Sequence, residues 1–330
     1  MAAPLQLQSL ERLGDSFAGE HSVERKRMLV IVNPYATTVS DRLKNLVVYA
    51  LQGRYDVQAV DTQRRDHATE LCREAAQEGI DVVVAFGGDG TLNEAANGLA
   101  GSSVPLTTLP GGATNVYCKM LGIPGDIVDA TEHLLRLADR WEPRRVDLAK
   151  ANDRWFTFSS GVGLDASVVH RVDLHPRMKT RLGAYYFTYA GITTFLKDYV
   201  LGPPRLEAVL ADGTTFPGVT SIVQNGDPFT YFKNHPIKLV EGQTLDSGSL
   251  SGIVLQRSTP TVMPGVMFRL FSERARITGH RAVSGFEEVP TVTIRSADER
   301  PLPLQVDGDY IGHVDEVAYS LAPGGLTVVA

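Results

Sequence analysis

Val82-Val-Val-Ala-Phe-Gly-Gly-Asp-Gly-Thr-Leu-Asn-Glu-Ala-Ala-Asn-Gly-Leu99 is the stretch that decides the fold. It reads as a buried strand, a glycine turn holding one acid, and a helix. Residues 82–86 are a short apolar run of the kind a parallel sheet buries on both faces. Gly87, Gly88 and Gly90 open backbone angles closed to other residues and let a ligand approach the main chain. A helix is expected to open at Thr91 or Leu92, where its free N–H groups and dipole favour a phosphate. Asp89 is the only charge in the turn. An acid beside a phosphate is repelled unless a cation lies between, so Asp89 implies Mg²⁺ or a proton to be moved. The turn lacks the Gly-Lys-Ser/Thr ending of a P-loop and the Gly-x-Gly-x-x-Gly spacing of a dinucleotide site.

Outward from this turn, strand and helix alternate. Strands are expected over 28–32, 55–60, 82–86 and 106–109, and helices over 41–51, 68–77, after Asp89, and over 129–138. That alternation means a parallel, doubly wound α/β sheet with ligands at the carboxyl ends of its strands. Asn33-Pro34, Thr62 and residues 87–91 and 111–115 all fall at those ends. Near residue 145 the texture changes. Strand-like segments at 144–148, 155–159, 205–210, 219–224, 250–255, 291–296 and 303–306 alternate with Asn-Asp, Asp-Gly and Pro-Pro turns. This predicts a second, mostly antiparallel β domain, interrupted by a helix over 185–199. The expected division is a flexible tail over 1–24, an α/β domain over 25–145 and a β domain over 146–314. The last strands, 317–321 and 326–329, would pack back on the first domain through 315–330.

At 330 residues the chain has room for two domains. Its net charge of −6 argues against a dedicated nucleic-acid binder. Cys72 and Cys118 are far apart and fit no metal spacing, which suggests reduced thiols and a cytosolic setting. The first 24 residues lack the basic start and apolar core of a secretory leader. No apolar run approaches the roughly 18–20 residues that span a bilayer.

Several motifs then line up, in order. Val30-Ile-Val-Asn-Pro34, Thr62 followed by His67-Ala68, Gly87-Gly-Asp-Gly-Thr91 and Pro110-Gly-Gly-Ala-Thr-Asn115 lie in the first half. Gly163-Leu-Asp-Ala166, Asn225-Gly226, Leu245-Asp-Ser-Gly248 and Asp307-Gly-Asp309 lie in the second. Together they resemble the soluble bacterial diacylglycerol kinase family, which also holds the sphingosine kinase catalytic domains and is related to NAD kinase and phosphofructokinase. Gly161-Val-Gly-Leu-Asp-Ala166 and Asn225-Gly-Asp-Pro-Phe-Thr-Tyr231 look like its actinobacterial branch. The resemblance covers about residues 27–330. It implies an ATP-binding domain over 25–145, a β-sandwich lipid-substrate domain over 146–314 and an active site in the cleft between them. The departures are specific. Asn33-Pro-Tyr-Ala-Thr37 stands for the family's Asn-Pro-x-Ser-Gly. Ala113 replaces a hydroxyl, with Thr114 beside it, and Val116 replaces an acid. Ser247 replaces the second acid of the family's structural Mg²⁺ turn, and Asp309 stands where a glutamate base is usual.

The candidate site residues follow. Asp89 organises Mg²⁺, through water, on the phosphates. The amides of Gly87, Gly88 and Gly90 and the Thr91 hydroxyl donate to phosphate. Asn33, Thr62, Gly112, Thr114 and Asn115 contact the nucleotide, although Asn33, Thr62 and Asn115 would serve equally as turn or cap residues. Glu94 reads as a solvated or dipole-favoured acid, and Asp165 as an orienting group or a buried turn acid. Asp309 is the base by the resemblance, with Asp165 and Asp307 next in line. Arg171, Arg177, Lys179 and Arg181, followed by Tyr185, Tyr186, Phe187 and Tyr189, read either as a solvated segment before a core helix or as a docking surface for anionic headgroups. Arg269, Arg274, Arg276 and Arg281 would extend that face. Met263, Met267, Phe268 and Phe271 would line a lipid groove or belong to the core.

The expected function is an ATP- and Mg²⁺-dependent lipid kinase acting on the hydroxyl of diacylglycerol. A sphingoid or other long-chain alcohol kinase and a nucleotide-binding regulator with weakened catalysis are the alternatives. The implied partners are a neutral lipid and, transiently, an anionic membrane surface at the cytoplasmic inner face of the cell membrane. Nucleic acid is not among them, and a homodimer is the assembly left open.

Overall fold

The protein is described by a computed structural model, which describes residues 4–17, 25–174, 205–232 and 235–330. The chain divides into two compact units, Met1–Val146 with Gly324–Ala330, and Asp147–Pro323.

In the first unit α1 (Pro4–Phe17) precedes β1 (Arg27–Val32), α2 (Asp41–Leu51), β2 (Asp56–Asp61) and α3 (His67–Ala75). Then come β3 (Val82–Gly87), α4 (Asp89–Leu99), β4 (Leu106–Pro110), α5 (Val116–Met120) and α6 (Ile127–Leu137). The strands run parallel in the order β2-β1-β3-β4, and Val328 near the chain's end pairs in parallel with Leu106. β3 and β4 are buried along their whole length, and β1 beyond its first residue, as their unbroken apolar runs require. β2 lies at the edge and is correspondingly polar. Ser40 opens α2 by accepting from Leu43 N at 3.3 Å. Asp126 opens α6 by accepting from Val128 N at 2.8 Å. Each meets a helix N–H that the helix itself cannot satisfy.

Two expectations for this unit are corrected. The first is the loose tail, since residues 4–17 form α1. Leu10 is fully buried, Gln6 Nε2 donates to Asp126 Oδ2 at 2.7 Å, and Tyr49 Oη donates to Asp15 Oδ1 at 2.9 Å. A lone apolar face with few neighbours in sequence gives little signal until it packs. The second is the start of α4, which opens at Asp89 rather than Thr91 or Leu92, with Gly88 as its cap.

The second unit is a β sandwich. It runs from β5 (Arg144–Ala151) through β6 (Arg154–Phe156), β7 (Ser159–Gly163), α7 (Leu164–Asp173), β8 (Leu206–Leu210), β9 (Thr215–Gly218) and β10 (Thr220–Gln224). There follow β11 (Thr230–Phe232), β12 (His235–Ile237), β13 (Leu250–Leu255), α8 (Met263–Leu270), β14 (Val283–Val289), β15 (Thr291–Ser296), β16 (Leu302–Val306), β17 (Asp309–Val314) and β18 (Glu316–Val328). One antiparallel sheet is ordered β14-β13-β10-β7-β16-β17. Facing strands β18-β15-β8-β9 carry β5 and β6 at their side. Phe156, Leu206, Ile294 and Tyr319 from this layer and Val162, Val254, Phe286 and Leu304 from the first share one core. That is how two half-apolar sheets bury their inner faces.

The two final strands expected near 317–321 and 326–329 are one continuous strand, β18; Pro323 and the glycines after it only look like a break. Asp165 lies in the first turn of α7 rather than in a turn. Its helix hides behind Gly163, which adopts φ 89° and ψ −128° to turn from strand to helix. The expected helix over 185–199 lies outside the described residues.

Candidate functional site

The register of the parallel sheet aligns the ends of its strands. Val32 stands beside Asp61 on one side and Phe86 on the other, and Gly87 stands beside Pro110. Past these ends the backbone ladder continues by one step. Asn33 N donates to Phe86 O at 3.0 Å, Thr62 N to Val32 O at 2.8 Å and Gly111 N to Gly87 O at 2.8 Å. Asn33, Thr62, the 87–91 turn and the 110–115 turn therefore sit along one edge of one sheet.

The glycines of this edge act differently from the expectation. Gly87, Gly88 and Gly90 are absent from the positive-φ positions; Gly88 has φ −94°. Close approach is what requires glycine at 87, 111 and 112. A Cβ on Gly87 would stand 2.5 Å from Thr91 Oγ1, one on Gly111 2.9 Å from Gly87 Cα, and one on Gly112 2.7 Å from Gly88 Cα. The two glycine turns are pressed backbone to backbone, which brings their amides to one place. Gly112→Ala is accordingly expected to cost about 1–3 kcal/mol through overpacking and to lower Tm by several degrees. Gly125→Ala, which meets nothing within 4 Å, is the control and should melt as wild type does.

Polar contacts tie the turns further. Asn33 Nδ2 donates to Thr91 Oγ1 at 3.0 Å, which leaves the threonine hydrogen for a second acceptor. Asn33 Oδ1 accepts from Tyr35 N at 2.9 Å. Asn115 stands at φ 50° and closes its own turn, accepting from Gly112 N and donating to Gly112 O, both at 2.9 Å. Thr114 is half-buried beside it. Gly88 caps α4 without a side-chain hydrogen bond, and the start of such a helix favours an anion. Asp89 belongs to that first turn, and its Oδ1 also accepts from Tyr117 N at 3.2 Å, in the first turn of α5. Two helix starts thus favour its negative charge. Nearby Cys118 reflects this: burial first, and the Asp89 charge second, push its thiol up to about 12.

Glu94 is not a solvated acid. It is half-buried, and its Oε2 accepts from Ala68 N at 3.2 Å, capping α3 in place of Asp66, whose side chain makes no cap bond. Sequence gave no sign of this, because the two residues belong to different helices.

A magnesium ion carried with nucleotide phosphates needs only one or two protein carboxylates, and Asp89 fits that role as the turn's one acid. Among the described residues no group of three or more His, Cys, Asp or Glu could hold a metal unaided. Ser247 spends its hydroxyl on the protein, accepting from Gln243 Nε2 at 2.7 Å and donating to Thr244 O at 3.0 Å. Asp147 Oδ2 secures the same turn by accepting from Gly248 N at 2.6 Å.

In the second unit, Asp307 and Gly308 form the two-residue connection of the β16–β17 hairpin, with φ 47° and 82° and Val306 paired to Asp309. Asp-Gly suits that turn because both positions need positive φ. Asp307 is not available as a base. It is 3 % exposed, and its carboxylate accepts from Thr157 N at 2.7 Å, Thr157 Oγ1 at 2.9 Å, Phe158 N at 3.0 Å and Ser159 N at 3.1 Å. Asp307→Ala would strand those buried donors. The expected loss is on the order of 3 kcal/mol, read as a Tm lower by about 6–12 °C. Asp309, next along, is half-buried at the start of β17.

Gln305 links this hairpin to Asp165. Its Nε2 donates to Asp165 Oδ2 at 2.7 Å, and its Oε1 accepts from Gly308 N at 2.9 Å. Gly161 makes the room: a Cβ there would lie 2.0 Å from Asp165 Oδ2. Burial pushes Asp165 up to about 6, against the lowering effect of the Gln305 bond. A carboxyl whose folded pKa exceeds its unfolded value binds more protons folded, so stability falls as pH rises from about 4 to about 6 and then levels. Asp165→Asn keeps an acceptor for Gln305 and removes the titration. Its melting temperature should match or exceed wild type above pH 7, and its excess should shrink toward pH 4. An excess constant over that range would remove Asp165 as its source.

Of the expected lipid-docking residues, Arg171 is on α7 and half-buried. Arg177, Lys179, Arg181, Tyr185, Tyr186, Phe187 and Tyr189 lie outside the described residues. Met263 packs against a buried core, whereas Met267, Phe268 and Phe271 are exposed.

A parallel sheet that carries a glycine turn with one acid at a helix start, in a chain that also holds a separate antiparallel sandwich unit, is the architecture to compare with known proteins. The diacylglycerol kinase catalytic domain family matches residues 27–151. Diacylglycerol kinases of Staphylococcus aureus strains bovine RF122 / ET3-1 and MRSA252 are each 28% identical over 300 residues, which is 87% of either chain. A crystal structure of a candidate diacylglycerol kinase from Bacillus anthracis str. Sterne superposes with a TM-score of 0.71 at 25% identity, covering 94% of this chain and 97% of that one. A second from the same strain, at 24% identity and TM-score 0.69, agrees in fold. Residues 27–151 match a diacylglycerol kinase catalytic domain, and most of the chain is similar to proteins named diacylglycerol kinase, which supports a lipid kinase.

Proposed function

We propose that the protein transfers the γ-phosphoryl group of ATP to the free hydroxyl of diacylglycerol, forming phosphatidic acid and ADP. The observation that carries the reading is Asp89, a single acid placed where two glycine turns and two helix starts meet. The relatives' names supply the acceptor. The α4 amides and Thr91 would take the phosphates, and Asn33 would hold Thr91 in position. Mg²⁺, bound with the nucleotide beside Asp89, would neutralise phosphate charge. Asp309 would receive the hydroxyl proton as the lipid oxygen bonds to phosphorus and the bond to the ADP oxygen breaks. Such a transition state is loose, so positioning and charge neutralisation do most of the work. The sandwich unit would recognise the lipid, with the protein visiting the cytoplasmic membrane surface. No helix of the described residues is long and apolar enough to cross a membrane.

The nucleotide turns read the donor and are silent about the acceptor. Purified protein with Mg-ATP should therefore be offered diacylglycerol, a sphingoid base and a long-chain alcohol in detergent micelles. Diacylglycerol is expected to give the highest kcat/KM. Preference for the sphingoid base or the simple alcohol would overturn the acceptor, and ATP binding without turnover would favour a regulator.

A further inference from the structure

We infer that α8 and the segment after it are the surface by which this lipid kinase settles on an anionic bilayer, a proposal that rests on the lipid-acceptor reading. Val266 on α8 is buried, and Met263 and Leu270 pack against the same core. They follow the three-, four- and seven-residue spacing of an inner helical face. The outer face should then be polar, and it is not. Met267 is 41% exposed, Phe268 70% and Phe271 42%. Three large apolar side chains within five residues make a patch rather than scattered single exposures. Phe232, from the β11–β12 hairpin, meets Phe271 edge-on at 5.4 Å between ring centres and extends the patch.

The surrounding charge selects the occupant. Residues 257–281 hold five arginines (257, 269, 274, 276 and 281) and one acid, Glu273, in a chain of net charge −6. Arg257, Arg274, Arg276 and Arg281 are exposed. Arg269 is half-buried and braces the segment, its Nη1 donating to Arg276 O at 2.9 Å. Arg276 also pairs with Glu241 at 3.2 Å, so part of the positive field is already spent. A second copy of the chain would set arginines against arginines across a symmetric contact. An anionic leaflet offers the opposite sign to the arginines and an apolar layer to the phenylalanines, the combination that holds an amphipathic helix at an interface.

The test uses the full chain and vesicles of phosphatidylcholine with or without phosphatidylglycerol, without nucleotide or substrate. Wild type should co-sediment with the mixed vesicles far more than with pure phosphatidylcholine, and less at high salt. M267S/F268S/F271S should weaken that binding by roughly tenfold or more, and R257Q/R274Q/R281Q should remove its salt dependence. Phe268→Trp provides a measurement on a chain with an aromatic side chain still in place. Its emission, beyond that of the two native tryptophans, should shift blue and be quenched by brominated acyl chains. Unchanged sedimentation of the serine variant, or no shift and no quenching at position 268, would overturn the proposal. So would a concentration-dependent dimer that the serine variant dissociates, since the face would then belong to a second copy. Turnover is not measured in these assays, so their failure is separate from failure of the kinase reading.

Discussion

Asp89→Asn is expected to remove lipid phosphorylation while leaving the fold intact. Asparagine keeps the oxygen that accepts from Tyr117 N at 3.2 Å, so the link to α5 survives and Tm should stay near that of wild type. The charge is what disappears. With it would go the one acid of the turn placed to hold Mg²⁺ against the phosphates in the proposed reaction, where charge neutralisation would supply much of the catalysis. A loss of roughly 10²–10³-fold in kcat is expected, the scale for removing one preorganised electrostatic group. Parallel melting curves and turnover assays check it. Wild-type turnover in a folded variant would leave Asp89 a mere helix cap.

The second large effect concerns Asp309. It is the first residue of β17, delivered by the two-residue turn at 307–308. Four donors hold Asp307 on one side of that turn, and Gln305 holds Gly308 on the other. The backbone that presents Asp309 is thus fixed. An alcohol is far too weak an acid for a carboxylate to ionise beforehand, so its proton moves as the phosphorus bond forms. Asp309→Asn should lower kcat by about 10²–10⁴-fold and leave the KM for ATP nearly unchanged, the pattern of an interaction made only in the transition state. Asp309→Glu should keep measurable activity, since the resembled family places glutamate there. Retention of more than about half of kcat in Asp309→Asn would move the base elsewhere. Asp165, raised to about 6, is then the remaining candidate, because Asp307 is committed to its four donors.

The parallel sheet was legible because its evidence is local. Strands at 82–86 and 106–109 are apolar runs closed by glycine or proline, and a run buried on both faces needs no partner to be recognised. The edge shared by Asn33, Gly87 and Gly111 followed from the same runs, because ligand turns of such a sheet lie at its carboxyl ends. What stayed hidden depends on pairing across distance. Gly87, Gly88 and Gly90 suggest unusual backbone angles in sequence, yet what excludes a side chain is Thr91 at Gly87 and, at Gly111 and Gly112, a neighbouring turn that is met only in the fold. Glu94 looked solvated until α3 came beside it. Gln305 carried no signal, for its bond to Asp165 spans 140 positions. The resemblance ranks Asp309 before Asp307 without a physical reason; burial and four donors on Asp307, against a half-buried Asp309 at a strand start, separate them in the fold.

The central claim is the direct transfer of phosphoryl to lipid. The purified protein should be given γ-labelled ATP, Mg²⁺ and diacylglycerol micelles, and the label followed into lipid. The account predicts labelled phosphatidic acid and one ADP for each lipid phosphorylated. Label that stays on ATP, or leaves only as inorganic phosphate, would contradict it.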